Sequence, residues 1–267
     1  MRYLYIILVV SNLFAQQKDK PAIQVQYFES IKYRPTIVNN YDGILSIQNE
    51  FSFYTSKFIN TEKIFKTDDS SDDEIIVDNK KVKFTNEIFI NTLSNELTEN
   101  LFEEIILKKS YSVYENIPKM KWLFLKGDKK FNNMNCKKAQ TTFRGRTYIA
   151  WYTLEIPVSI GPWKFSGLPG LILSIEDTEK VYKWEIKKIN YPYKEKSLNL
   201  ADNFSKRFKY KKVSFKEYDK IYVTAIKDKI SIIAARNKNR EYKSQFSFST
   251  FQNKEPQNEI RTQMEFK

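Results

Sequence analysis

The sequence predicts a mainly β protein, with an antiparallel curved sheet or open half-barrel and one long helix from the C-terminal half packed on it. Two observations predict this class. Apolar and polar residues alternate with period two, in runs rich in β-branched and aromatic types, from residue 23 onwards. The three-and-four spacing of an amphipathic helix is clear only after residue 214.

The predicted strands follow one another along most of the chain. Residues 97–109 alternate less cleanly, so a helix is an alternative there, although we favour strand. The predicted strands are 23–28, 44–47, 51–55, 75–77, 82–89, 102–107, 111–114, 121–125, 136–143, 147–153, 171–176 and 181–189.

The predicted helix begins with a capping box, because Ser214 stands three residues before Glu217. It runs for about six turns. Basic residues occupy its last turn, where the helix dipole favours them. Its apolar stripe is formed by Phe215, Tyr218, Tyr222, Ala225, Ile226, Ile230 and Ile233. The polar, aperiodic residues 241–267 are predicted to form a tail.

The N-terminus has the layout of a secretory signal peptide over residues 1–15. Arg2 precedes an apolar run, and the small Ala15 offers a cleavage site. A membrane anchor is the alternative, but residues 3–14 fall short of the roughly 20 residues that span a bilayer. We therefore expect an exported chain, in the periplasm or outside the cell, with no membrane span after signal removal. Residues 16–240 then form a single β-rich domain.

Composition excludes several kinds of chemistry. The chain has no His, so it lacks a Ser-His-Asp triad, a Cys-His pair, a His-ligated metal and an imidazole base. Its single Cys, Cys136, excludes an internal disulfide and a CxxC motif. We expect no metal, no cofactor and no catalytic residue.

The net charge of +13 comes from lysines interleaved with other residues along the chain. Because we see no concentrated basic stripe, no nucleic-acid partner is expected. The dense charge run is acidic, at 68–74. It lacks the Gly and Glu spacing of a calcium-binding EF-hand, so a solvated loop is favoured over a calcium site.

Glycine and proline are concentrated in one window. Four of the six glycines and three of the eight prolines lie between residues 145 and 170. Residues 136–143 and 147–153 are predicted to form a hairpin around Arg144-Gly145-Arg146, with Gly145 at a positive φ. Because proline fixes φ and glycine admits φ > 0, residues 157–170 are predicted to be an ordered loop.

This window carries a resemblance. The runs 143–153, Ile156-Pro157, 161–165 and above all Gly167-Leu168-Pro169-Gly170-Leu171-Ile172 resemble the GLPGLI family of exported proteins from Bacteroidetes-type bacteria. The similarity covers about 136–189. Members often have Asp where this chain has Ile160, and some have Cys where it has Ser166, so no role transfers to those positions. The resemblance implies export and a β fold, without an established activity.

More generally, the sequence is similar to periplasmic lipoprotein carriers, whose open, curved antiparallel sheets hold apolar ligands in a concave face. We therefore weigh two interpretations of the loop 157–170. It is either a plug of the core, which the bulky apolar residues favour, or a binding lip. The candidate ligand-binding residues are Arg144, Arg146, Trp151, Trp163, Phe165, Gly167, Leu168, Pro169 and Gly170.

The leading hypothesis is non-catalytic binding of a small apolar or anionic ligand, or of an envelope protein such as an outer-membrane transporter. In this hypothesis, Arg144 and Arg146 would bind an anion. We favour another interpretation, in which the two arginines are solvated residues of the turn or form a structural ion pair. One alternative is a carboxylate-dependent hydrolase that uses Glu155 and Asp177, although both are expected to accept backbone N–H bonds at turns. A purely architectural role beside an outer-membrane transporter is the other alternative.

Overall fold

The computed structural model describes residues 21–34, 37–63, 85–103, 107–131, 133–193 and 198–237. The predicted signal peptide (1–15), the acidic run (68–74), the strand at 75–77 and the tail (241–267) lie outside the described residues.

The described residues form twelve strands and two helices. Residues 97–103 lie in a strand, so strand was the correct choice for that stretch, while residues 104–106 lie outside the described residues. The strands are β1 (Ile23–Arg34), β2 (Ile37–Gln48), β3 (Phe51–Lys63), β4 (Thr85–Asn91), β5 (Glu96–Glu103), β6 (Lys109–Asn116), β7 (Leu123–Phe131), β8 (Met134–Phe143), β9 (Arg146–Thr153), β10 (Leu171–Asp177), β11 (Tyr182–Asn190) and β12 (Lys211–Ser214). The helices are α1 (Leu200–Ser205) and α2 (Phe215–Asn237).

All twelve strands belong to one sheet, in the order β12-β6-β5-β4-β3-β2-β1-β11-β10-β9-β8-β7. The sheet is strongly curved, because a short connection joins β6 and β7, which lie near opposite ends of the sheet order. In a flat sheet, β6 and β7 would lie about 48 Å apart at the usual strand spacing. The connection from Asn116 to Leu123 spans at most about 25 Å when fully extended. The sheet therefore curls until its two ends approach each other.

The predicted fold class is right in being mainly β and wrong in its details. The sheet is mixed, because β12 runs parallel to β6 while the other pairs are antiparallel. Two helices are described, and no long helix covers the sheet. Instead, α2 buries Tyr218, Tyr222 and Ile226 against a few residues at the β6–β12 edge. The physical reason is that the chain's own segment 154–170 fills the middle of the concave face.

The start of α2 shows the predicted capping box. The Ser214 backbone N–H donates to Glu217 Oε2 at 2.8 Å, and the Glu217 backbone N–H donates to Ser214 Oγ at 3.3 Å. These bonds satisfy N–H groups that a helix start leaves without partners. None of the helices in the described part of the chain has the length and apolarity that a membrane span needs.

The core lies on the concave face of the sheet. Large aromatic side chains dominate it, including Tyr27, Tyr54, Tyr148 and Trp184 from four different strands. Because strand residues alternate between faces, the residues between them point outward. A second, smaller cluster joins α2 to β6 and β12.

Candidate functional site

Residues 154–170, hereafter the plug segment, connect β9 to β10 and pack into the concave face. Trp163, Phe165 and Leu168 are each at most 1% exposed. The Trp163 ring stacks on Trp184 of β11, with centroids 5.8 Å apart, and Phe165 meets Tyr148 of β9 edge-on at 4.9 Å. The predicted loop is therefore ordered, and these apolar side chains plug the core rather than form an exposed lip.

The backbone of the plug segment is held by its own hydrogen bonds and by a close approach to β9. The Gly161 N–H donates to the Phe165 carbonyl and the Gly167 N–H to the Ser159 carbonyl, both at 2.8 Å. A Cβ on Gly170 would lie 1.9 Å from the Thr153 carbonyl oxygen. Only glycine fits there, since any side chain would displace the β9 backbone.

The β8–β9 hairpin forms as predicted, with a two-residue turn at Arg144 and Gly145. Arg146 is buried, and its Nη1 lies 2.7 Å from Asp177 Oδ2 and 2.8 Å from Glu179 Oε2. Arg144 Nη2 lies 2.5 Å from Glu115 Oε2. The structural ion pair favoured from the sequence is thus present at both arginines.

A buried charge cluster joins the plug segment to the far end of the sheet. Lys164 is fully buried, and its Nζ lies 2.8 Å from Glu99 Oε2 and 3.1 Å from Glu115 Oε1. The Arg144 guanidinium lies 3.8 Å from the ring centroid of Phe215, at the start of α2. Since β5 and β6 stand at the opposite end of the sheet order from β8 and β9, the cluster ties the two ends together.

The electrostatics of the cluster favour an ionised Glu115. Burial alone would raise the pKa of Glu115, but the charges of Lys164 and Arg144 and their hydrogen bonds outweigh it. The pKa of Glu115 is therefore lowered from its ordinary value of 4.5. A carboxylate of this kind anchors structure and is a poor proton donor at neutral pH.

A second buried carboxylate lies deeper in the core. Glu29 on β1 is fully buried and accepts a hydrogen bond of 2.8 Å from the Tyr54 hydroxyl. Burial raises the pKa of Tyr54 well above its ordinary value, and the charge of Glu29 raises it further. Sequence reasoning missed Glu29 and Lys164, because alternation alone does not identify which charged residue points inward.

The two carboxylates of the hydrolase alternative do not come together. Asp177 pairs with Tyr148 in the β9–β10 register, whereas Glu155 follows Thr153, the last residue of β9. Along β9, Tyr148 and Thr153 are five residues apart, a distance of about 16 Å. Glycosidase carboxylates are at most about 9.5 Å apart.

Both carboxylates instead accept backbone N–H bonds, but only Asp177 does so at a turn, as the sequence led us to expect of both. Asp177 Oδ1 accepts from Val181 and Tyr182 at 2.7 Å, and Glu155 Oε1 accepts from Asn135 at 2.8 Å. Asp177 stabilises the turn between β10 and β11, whereas Glu155 links the segment after β9 to the start of β8.

The described residues offer no group of three or more Cys, Asp or Glu side chains arranged to hold a metal ion. Burial raises the pKa of the Cys136 thiol, so the thiolate that binds metals or attacks electrophiles is disfavoured.

Of the remaining candidate residues, Gly167 and Pro169 are exposed and Trp151 is half-buried. Trp151 lies on the convex face of β9, because its neighbour Tyr152 belongs to the core. Lys129 and Lys138 each place Nζ 5.7 Å from the Trp151 ring centroid. The Trp151 ring is therefore close to side chains of β7 and β8.

We call β7 together with Lys138 and Trp151 the β7 edge surface. β7 ends the sheet order, and seven of its nine residues are exposed. Leu123 and Phe124 are consecutive and project to opposite faces of β7, 59% and 61% exposed. A cleft of about 500 Å³, lined in part by Asp128, Lys137 and Leu154, opens at the C-terminal half of β7.

The sequence held a signal for the β7 edge surface that we overlooked. Residues 119–138 contain seven lysines against one aspartate, nearly half of the net charge of +13 in twenty residues. The positive charge is therefore more concentrated than we inferred above, where we described the lysines as interleaved with other residues along the chain. Four of those lysines, Lys126, Lys129, Lys130 and Lys138, belong to the surface.

Comparisons with known proteins find similarity to one family over part of the chain, and no activity. A family model described as "Protein of unknown function (Porph_ging)" matches residues 107–174, which include β6 to β9 and the plug segment. No curated protein matches the sequence.

Two solved structures of PNGF-II, in space groups P21 and C2, are similar to the chain at 18% identity, with TM-scores of 0.48 and 0.47. The similarity covers 77% and 76% of this chain and 34% and 33% of PNGF-II, so the chain spans about a third of that protein's length. Similarity at this level transfers no property of PNGF-II to this chain.

Proposed function

We propose that the protein is an exported, GLPGLI-type envelope protein that binds a partner protein without catalysis, through the β7 edge surface. One observation carries this proposal: Leu123 and Phe124, two large apolar residues, are both exposed on the last strand of the sheet, one on each face. Large apolar side chains that are exposed on an unpaired edge strand are typical of an interaction site.

The plug segment is a poor candidate for the binding surface. Trp163, Phe165 and Leu168 contact the core on the concave face, so their apolar area is already used for folding. The same packing fills the place where a carrier would hold an apolar ligand. The candidate residue that remains accessible and aromatic is Trp151, which lies next to β7.

A protein partner fits this surface better than a small ligand. The surface combines apolar side chains, ammonium groups and the main chain of an edge strand over nine residues, a length that suits a polypeptide. An envelope protein such as an outer-membrane transporter is the kind of partner that export of the chain makes available.

Site-specific photo-crosslinking in living cells tests the proposal. We place p-benzoylphenylalanine at Phe124, and at Leu93 as the matched control. Leu93 is 81% exposed in the turn between β4 and β5. We expect a discrete crosslinked protein at position 124 and none at position 93. We also expect the chain recovered from the cell envelope to begin at Gln16. Equal crosslinking at both positions, or none at 124, would overturn the proposal.

A further inference from the structure

We infer that the protein binds the surface of an anionic lipid bilayer through one face of the β7 edge surface, hereafter the Trp151 face. Residues paired in register keep their side chains on the same face of a sheet, and alternate residues of a strand share a face. The β7–β8 and β8–β9 registers therefore gather Leu123, Leu125, Lys129, Phe131, Lys138 and Trp151 on this face. The inference goes beyond the proposed function, because it concerns lipid and not the partner protein.

Apolar and basic side chains are mixed on the Trp151 face. Leu123 is 59% exposed, and Leu125, Phe131 and Trp151 are half-buried. The Lys129 ammonium lies 5.3 Å from the Phe131 ring centroid and 5.7 Å from that of Trp151. Tryptophan and lysine both favour the boundary between hydrocarbon and headgroups, because each joins an apolar body to a polar tip. The composition of this face is therefore typical of a surface that lies at a membrane interface.

The lysines in this region are largely without carboxylate partners. Of the seven lysines at 119–138, Lys137 pairs with Asp128, whose side chain projects from the opposite face of β7. None of the other six forms an ion pair within the part of the chain that the structure describes. Two of them, Lys129 and Lys138, lie on the Trp151 face itself. Their charge complements anionic headgroups, and each basic residue near such a surface strengthens binding about fivefold.

The open edge of β7 limits the depth of the contact. Among the described strands, β7 pairs with β8 on one side and with none on the other. Main-chain N–H and C=O groups without partners are costly in hydrocarbon, where no water replaces the missing bonds. We therefore expect Leu123 to reach the acyl boundary while the main chain of β7 stays hydrated among the headgroups.

Other occupants match the Trp151 face less well. A soluble polyanion would neutralise the lysines but would leave Leu123 and Leu125 in contact with water. A second copy of the same face would bring lysines opposite lysines. A bilayer supplies anionic groups and an apolar boundary together. Phe124 projects from the opposite face of β7, so it remains available to a partner that is itself a protein of the envelope.

Sedimentation with lipid vesicles tests the inference. We use the chain that begins at Gln16, which contains every described residue and lacks the apolar run at 3–14. The vesicles are pure phosphatidylcholine, or phosphatidylcholine with about 30% phosphatidylglycerol. We expect binding to the anionic vesicles, little binding to the neutral ones, and at least a tenfold loss of affinity between about 50 and about 500 mM salt. Equal binding to both kinds of vesicle, or binding to neither, would overturn the inference.

Removal of charge from the Trp151 face gives an independent result. We expect Lys129→Gln/Lys138→Gln to lower the affinity for anionic vesicles about 25-fold, since each ammonium group contributes about fivefold. The matched control is Lys216→Gln/Lys220→Gln, exposed on α2, which should leave the affinity unchanged. Equal losses for the two variants would mean that net charge alone attracts the protein, and would overturn the assignment to this face. Circular dichroism checks that both variants are folded, and the label at position 123 described next decides the question if they are not.

A dye that is sensitive to water locates the apolar contact. It is attached at Leu123→Cys and, as the matched control, at Leu93→Cys, whose side chain is 81% exposed in the native protein. Cys136 is buried, so the introduced thiol is the one that reacts. We expect anionic vesicles to shift the emission at position 123 to shorter wavelength and to leave the emission at position 93 unchanged. Equal shifts at both positions, or none at 123, would contradict contact through the Trp151 face.

The outcomes separate this inference from the proposed function, because the vesicles contain no protein. Absence of vesicle binding together with a partner crosslinked at Phe124 would remove the inference and keep the proposed function. Vesicle binding without a crosslinked partner would keep the inference and remove the proposed function. A protein crosslinked at Leu123 in cells, with no vesicle binding, would assign the Trp151 face to a protein partner and overturn the inference.

Discussion

Lys164 and Glu99 form a fully buried ion pair, with 2.8 Å between Nζ and Oε2, that joins the plug segment to β5. Glu99 lies on β5, and Lys164 lies on the connection between β9 and β10, which stand seven and six places away from β5 in the sheet order. Each charge would be costly to bury alone, so the pair specifies how the curled sheet closes.

Removal of the Lys164 ammonium should destabilise the fold strongly. Lys164→Met leaves Glu99 and Glu115 buried without that positive charge, and we expect the free energy of unfolding to fall by about 3–5 kcal/mol in urea denaturation. The control is Lys187→Met, which breaks an exposed pair with Asp42 and should cost less than about 1 kcal/mol. Similar losses for both variants would show that the buried pair contributes no more than a surface pair.

Glu115 should make the stability of the protein depend on acid pH. Its pKa is lower in the folded protein than in the unfolded chain, so its contribution to stability is complete above the unfolded pKa and is lost as pH falls through the folded pKa. We expect the free energy of unfolding to decrease below about pH 5, with a shallower decrease in Glu115→Gln. Urea denaturation at a series of pH values measures the free energy of unfolding of both proteins. Parallel pH dependences for the unmodified protein and Glu115→Gln would contradict the role of Glu115.

The features that local patterns determine were predictable from the sequence. Alternation indicated the strand residues, the Arg144-Gly145 turn indicated the β8–β9 hairpin, and Ser214 with Glu217 indicated the start of α2. Each depends on interactions between residues close in the chain, whose physics is the same in any fold.

The features that depend on long-range closure were not predictable. Lysine is ordinarily exposed, so nothing local distinguishes Lys164 from the exposed lysines. Its burial depends on Glu99 and Glu115, which are 65 and 49 residues earlier. For the plug segment, the bulky apolar residues correctly favoured a plug of the core, but only the curvature of the sheet shows that this plug fills the concave face.

Gly170 should tolerate no side chain. Gly170→Ala places a Cβ 1.9 Å from the Thr153 carbonyl oxygen, and we expect at least about 3 kcal/mol of destabilisation or an insoluble protein. Gly167→Ala is the matched control, because its Cβ would have only ordinary contacts with Trp122 and its φ of 90° costs about 1–3 kcal/mol. A smaller loss for Gly170→Ala than for Gly167→Ala in urea denaturation would contradict the close approach.

Substitutions of Asp177 and Glu155 should differ in their effect on protein stability, and neither residue should have a catalytic role. Asp177→Asn weakens the buried pair with Arg146 and should lower the free energy of unfolding by about 3 kcal/mol, which thermal denaturation detects as a clear fall in Tm. Glu155→Gln changes an exposed hydrogen bond to Asn135 and should change that free energy by at most about 0.5–1 kcal/mol. Loss of a hydrolytic activity in Asp177→Asn at unchanged Tm would contradict this assignment, because a turn stabiliser cannot be removed without cost to the fold.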